Sequence, residues 1–174
     1  SYSSDPSDPA SRVTEMKQMV KGLHENDIRV IMDVVYNHVY DAANHSFNKT
    51  VPGYYFRYDD NGSLVNNSGC GNDTASERKM MRKYIVDSVT YWAKNYNVDG
   101  FRFDLMGLID TETMKEVRAA LDEIDPSIII LGEGWDMNTT MDEGEMTIQP
   151  NAYQVASDGT NNGIAFFNDS VRDG

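Results

Sequence analysis

Short apolar runs alternate with helical stripes along this chain, and that order restricts the fold more than any other feature. Residues 28–33, 98–104, 128–131 and 163–167 are β-branched or aliphatic and read as strands. Before the first, Val13, Met16, Val20 and Leu23 recur at helical spacing behind Asp8-Pro9, an N-cap acceptor followed by proline. Before the second, Met81, Ile85, Val89, Trp92 and Tyr96 line one helical face, and Thr74-Ala-Ser-Glu77 reads as its capping box. Before the third, Met114, Val117, Leu121 and Ile124 follow Asp110, and Asp125-Pro126 ends the stripe. Helix followed closely by strand, repeated, is the pattern of parallel βα units, so the fold class is α/β.

The exceptions to this order are informative. Val39 to Asp73 is rich in Asn, Gly, Tyr and Asp and carries little periodicity. An unpatterned stretch of that length inside a compact domain is usually functional, and it reads as an irregular insertion forming one wall of a cleft. A second irregular stretch runs from Asp136 to Asn162. No internal repeat interrupts the alternation.

Each of the first three strands reaches a carboxylate: Asp33, Asp104 and Glu133. In parallel barrels the loops leaving the C-terminal ends of the strands converge on the active site. Helix capping accounts for one such acid more readily than for three in succession. In Gly100-Phe101-Arg102-Phe103-Asp104, strand alternation places Arg102 and Asp104 on one face and both phenylalanines on the other. A neighbouring guanidinium favours an ionised carboxylate, as a nucleophile needs, although an ion pair closing a core has the same signature. Glu133, between Gly132 and Gly134 and before Trp135, is expected to be approached closely by a ligand. Its aromatic neighbour is expected to lower the local polarity and favour a protonated acid. An ionised nucleophile and a neutral acid about 5–5.5 Å apart are the pair of a retaining glycosidase.

Charge and size exclude other classes. The net charge is −13, from 28 acidic and 15 basic residues, which repels a phosphate backbone and argues against nucleic acid. No apolar run approaches the roughly 20 residues of a membrane span. Cys70, beside Gly69 and Gly71, is the only cysteine, so it forms no internal disulfide and reads as a small filler. One motif histidine and no Glu-x-x-His spacing argue against a transition-metal hydrolase, so no metal site is assigned. Oxygen ligands in residues 39–73 leave calcium open, while no cofactor is required. At 174 residues the chain is shorter than the about 250 of a complete (β/α)8 barrel. Its opening at Ser1 reads as the middle of a longer protein, which leaves compartment undefined.

Asp33-Val-Val-Tyr-Asn-His38, Gly100-Phe-Arg-Phe-Asp-Leu-Met-Gly107 and Gly132-Glu-Gly-Trp135 resemble the first three signature regions of the α-amylase family of glycoside hydrolases. Met106-Gly107 stands where an α-amylase usually has Lys-His. With Gly-Glu-Gly-Trp-Asp136 and the run from Gly71 through Arg82, this wording resembles type I pullulanases, which debranch starch. The resemblance implies a partial (β/α)8 barrel, about strands three to six, with residues 1–174 a fragment of one catalytic domain. It implies Asp104 as nucleophile and Glu133 as general acid/base, Arg102 holding the nucleophile, and His38 contacting sugar. It implies Asp33 and Asn37 as structural supports and makes Tyr36 and Trp135 candidate stacking surfaces, with core packing the alternative for Tyr36. His24 and His45 match no motif and are expected in surface or loop roles.

The implied substrate is an α-glucan, cleaved at α-1,6 bonds in pullulan and amylopectin. The family's third carboxylate follows a histidine on a later strand, and no His-Asp pair occurs after Trp135. Asp169 is not given that role, so the fragment alone is expected to be inactive. The competing readings are isoamylase, neopullulanase or α-amylase activity, or a carbohydrate-binding relative without catalysis. The last would be expected to lose Asp104 or Glu133, and both are present.

Overall fold

A computed structural model describes residues 3–137, 139, 145–151 and 163–174. Its frame is a parallel sheet of strands β1 (Ile31–Val34), β2 (Gly100–Phe103), β3 (Ile129–Gly132) and β4 (Ala165–Phe166), in that spatial order. Among the described residues the helices are α1 (Pro9–His24), α2 (Ser46–Thr50), α3 (Lys79–Tyr96), α4 (Thr111–Asp122) and α5 (Asp169–Arg172). α3 carries the chain from β1 to β2 and α4 from β2 to β3, which makes two successive βαβ units. This bears out the parallel α/β reading of the sequence.

Strand alternation decides what goes inside. Phe101 and Phe103 are 0% and 1% exposed and join Met81, Ile85 and Val89 of α3 and Met114, Val117 and Leu121 of α4 in one core. Each such side chain contributes about 1.5–3 kcal/mol by leaving water. On the opposite face Ile31 and Asp33 are exposed, while Arg102, Ile129 and Leu131 are only half-buried. Gly100 has to be glycine, because a Cβ there would lie 2.7 Å from the Ile129 carbonyl oxygen of the paired strand.

The ends of several elements differ from the sequence reading. The first strand starts at Ile31 rather than Ile28, because the Ile28 N–H bonds to Leu23 O in the turn leaving α1. Val30 N–H is taken instead by the Asp99 carboxylate at 2.7 Å, which also receives His24 Nε2 at the same distance. The expected strand over 163–167 forms only at Ala165–Phe166. The stripe of α1 is only partly covered, with Val20 buried and Val13 exposed.

Thr74 and Glu77 form no capping box. α3 begins at Lys79 with Arg78 at the cap and no side-chain cap bond. Thr74 Oγ1 instead donates to Tyr36 O at 2.5 Å, and Glu77 pairs with Arg57 at 2.9 Å. Long-range partners outcompete a local cap when they satisfy buried polar groups.

Residues 39–73 are more ordered than their composition suggests. They contain α2, capped by His45 through Phe47 N, and an antiparallel bridge between Tyr58 and Leu64. Phe56 is fully buried, and Arg57 is 3% exposed with Nη2 on the Leu108 carbonyl at 3.0 Å. Cys70 is exposed, so it fills no core space. Much of the second irregular stretch, including residues 140–144 and 152–162, lies outside the described residues.

Tyr36 is a core residue, correcting its assignment as a sugar-stacking surface. Its ring packs 5.9 Å from Phe103 and 6.1 Å from Tyr84, and its hydroxyl donates to Ser88 Oγ at 2.8 Å. Burial pushes its phenol up to about 12, with the Ser88 bond acting the other way. The neutral phenol is therefore the folded form, so stability is retained below the unfolded value near 10. It falls by up to about 1.4 kcal/mol per pH unit from there to the folded value. Tyr36→Phe should cost about 1 kcal/mol at pH 7 through the lost hydrogen bond. By about pH 11 it should become the relatively more stable form, as read from urea midpoints across that range.

Candidate active site

The register of the sheet assembles the acids. Asp33 on β1 lies opposite Arg102 on β2, and Phe103 lies opposite Gly132, which brings Asp104 and Glu133 out side by side. Asp33 is the third residue of its four-residue strand, whereas Asp104 and Glu133 directly follow theirs. Arg102 binds all three. Nη1 donates to Asp33 Oδ1 at 2.9 Å and to Asp104 Oδ1 at 3.0 Å, and Nη2 lies 2.7 Å from Glu133 Oε1. Its guanidinium sits 5.8 Å from the Phe167 ring centroid. Partial burial works against the charge, yet Asp33 and Asp104, with help from Glu133, hold Arg102 above its ordinary value.

Asp104 has a second holder. Asn37 is fully buried, and its Nδ2 donates to Asp104 O at 2.7 Å and to Asp104 Oδ2 at 3.0 Å. Its Oδ1 lies 2.5 Å from His38 Nδ1; an amide oxygen only accepts, so Nδ1 is the donor. Asn37 is in turn anchored from the insertion side, where Thr74 N–H donates to its carbonyl at 2.9 Å. Asn72 clamps the next residue but one, accepting from Val39 N at 3.0 Å and donating to Val39 O at 2.7 Å.

Glu133 also has polar partners that the sequence did not indicate. Beyond the Arg102 contact, its Oε2 accepts Leu105 N–H at 3.0 Å, so a cation and a donor face it as well as the aromatic residues of its cleft. The flanking glycines serve the chain's own packing. A Cβ on Gly132 would lie 2.7 Å from Phe103 O, and one on Gly134 would overlap the Phe166 ring. Trp135 is half-buried and lines a cleft of about 250 Å3 with Glu133, Phe167, Asn168, Asp169 and Arg172. Asp169 there pairs with Arg172 at 2.8 Å.

No family model matches the chain. A pullulanase of Bacillus subtilis strain 168 is 49% identical over 173 residues, covering 99% of this chain and 23% of that protein. The backbone superposes on a pullulanase of Paenibacillus barengoltzii, in complex with maltohexaose and α-cyclodextrin, with a TM-score of 0.93 at 50% identity. It does so equally on a pullulanase of Anoxybacillus sp. LM18-11 complexed with maltotetraose, at 0.93 and 54% identity. Those matches take in 99% of this chain and 26% and 24% of the two structures. Over its whole length this chain is related to pullulanases. It spans about a quarter of the length of the pullulanases it matches.

Within this pullulanase-related segment, Asp33, Asn37, His38, Arg102, Asp104 and Glu133 form one connected group, and Trp135 adjoins it across the cleft. Tyr36 is excluded from it. His24 pairs with Asp99 at the opposite ends of the strands. Among the described residues no group of three or more His, Cys, Asp or Glu side chains is arranged to hold a metal ion. The group also includes residues that the sequence did not single out: Asn72, Leu105 and Phe167.

If Arg102 is the common tie, removing it and neutralising one acid should not be additive. A double-mutant cycle of Arg102→Met with Glu133→Gln should give a coupling of about 1–3 kcal/mol in denaturant unfolding. A coupling within error of zero would make the contact incidental.

Proposed function

We propose that this chain carries the nucleophile and the acid/base of a retaining glycoside hydrolase. Its bonds are the α-1,6-glucosidic links of pullulan, amylopectin and related branched α-glucans. The observation that carries the reading is Asp104 and Glu133 leaving adjacent parallel strands on opposite arms of one guanidinium. That arrangement is compatible with the about 5–5.5 Å carboxylate separation of a double displacement. Relatives named pullulanases, two of them solved with maltooligosaccharides, favour an α-glucan as substrate.

In this mechanism an Asp104 oxygen attacks the anomeric carbon while Glu133 protonates the departing glycosidic oxygen. Glu133 then takes a proton from water, which attacks the glycosyl-Asp104 ester and releases the sugar with its original anomeric configuration. Arg102 and Asn37 orient Asp104, so the attacking group is held before substrate arrives. Asp33 holds Arg102. His38, turned by Asn37, contacts the sugar in the cleaved subsite, and Trp135 supplies an apolar face for a ring.

The same proposal extends to architecture. Parallel sheets are rarely left bare on one face. Here the face bearing Ile31, Asp33 and Arg102 is the exposed one, and β1 and β4 are both edge strands. We take the sheet as about strands three to six of a (β/α)8 barrel, with residues 39–73 as one wall of the substrate cleft. The bonds from Thr74 and Asn72 to residues 36–39 support that placing of the insertion. The family's third carboxylate would come from a later strand, so residues 1–174 alone should be inactive.

The complete enzyme should release short oligosaccharides from pullulan and leave amylose nearly intact, as read by product chromatography. Rapid amylose cleavage with pullulan untouched would instead indicate an amylase. Asp104→Ala should lower kcat on pullulan by at least about a thousandfold, because no other oxygen on β2 faces the site.

A further inference from the structure

The turn just after the nucleophile makes contacts that holding Asp104 does not explain. Leu105 has φ +39° and ψ +51°, a left-handed conformation that costs a non-glycine residue energy and persists only where the surroundings impose it. Its N–H donates to Glu133 Oε2 at 3.0 Å. Two residues on, in the 3-10 turn Met106–Leu108, Gly107 N–H donates to the Glu133 carbonyl at 2.9 Å. Side chain and backbone of Glu133 are thus held from one tight turn.

A side chain at Gly107 would force the two backbones apart. A Cβ there would fall 1.9 Å from the Trp135 carbonyl oxygen, so Gly132–Trp135 would have to move away from the turn. Met106, fully buried, meets Gly132 from the same turn, and a Cβ on that glycine would lie 2.9 Å from the Met106 sulfur. The segment Gly132–Trp135 is therefore seated on Leu105–Gly107 by two N–H donors and by two positions where only hydrogen fits.

We propose that Leu105–Gly107 is the positioning element of the acid/base, distinct from the Arg102–Asn37 pair that positions the nucleophile. Leu105 fixes the Glu133 carboxyl through its N–H, and Gly107 fixes the backbone from which that carboxyl projects. This rests on the assignment of Glu133 as the acid. Proton donation matters most when the leaving group is a poor one, such as a sugar hydroxyl, and least when it is fluoride. A defect confined to the acid therefore appears selectively, whereas general damage to the site lowers both reactions.

The test compares kcat/KM on pullulan and on an α-maltosyl fluoride in the complete enzyme, for Gly107→Ala and for an amide-to-ester exchange at Leu105. Gly107→Ala should lose between about tenfold and a hundredfold on pullulan and under about threefold on the fluoride. The ester keeps the side chain and removes the N–H donated to the carboxylate; it also weakens the Asp104 carbonyl as an acceptor of Asn37 Nδ2, an effect on the nucleophile's holder that lowers both reactions alike. It should lose at least about fivefold more on pullulan than on the fluoride, since the carboxyl is then less well placed for a leaving group that needs its proton. Equal losses on both substrates in either variant, or no loss on pullulan, would overturn the proposal. Glu133→Gln, run alongside, separates the two failures. If it loses both substrates equally, the acid assignment falls; if it is selective and the turn variants are not, the positioning role falls.

Discussion

One guanidinium organises this structure. Arg102 reaches Asp33 on the preceding strand, Asp104 on its own and Glu133 after the next, so a single side chain ties three parallel strands together at their C-terminal ends. Three carboxylates converging on one point, two of them half-buried, repel one another unless a cation is shared among them. Arginine suits the task because its planar fork presents several donors at once and stays charged. The register of the sheet then has little freedom. A one-residue slip of β2 would turn Arg102 into the core and a phenylalanine into the acid cluster.

Around that tie the chain builds support from two directions. The run from Gly71 through Arg82 connects the insertion to the site. Asn72 and Thr74 fasten residues 36–39, Ser76 Oγ accepts Asp110 N–H at 3.0 Å, and Arg82 pairs with Asp110 at 3.0 Å. Asp110 at the same time caps α4 through Thr113 N. The wording of this run, which resembles pullulanases, therefore has a physical reading as a strut between the Asn37 loop and the β2–α4 connection. Arg57, buried between Glu77 and the Leu108 carbonyl, closes the same strut from the insertion side.

Much of this could be read from the sequence, and the misses share a cause. Helical stripes and apolar runs located α1, α3, α4 and the strands, because periodicity and burial are direct consequences of backbone geometry. Arg102, Asp104 and Glu133 were visible because strand alternation and strand ends fix where side chains point. What failed depended on distant partners. Thr74 and Glu77 have the spacing of a cap, but buried carbonyls and Arg57 claim them first. Tyr36 is amphipathic, and only Phe103, Tyr84 and Ser88 decide that it faces the core. The glycines around Glu133 look like access for a ligand until Phe103 and Phe166 are seen against them. Leu105 gives no sign at all, since a left-handed leucine has no compositional signature.

The central claim is that Asp104 attacks and Glu133 assists. It is tested most directly by incubating the complete enzyme with a slow-releasing activated α-glycosyl fluoride and mapping the labelled peptide by mass spectrometry. The account expects the glycosyl mass on the peptide carrying Asp104, in larger yield when Glu133 is replaced by Ala, because the group that activates water for release is then gone. A glycosyl mass on the peptide carrying Glu133, or labelling that survives Asp104→Ala, would contradict it.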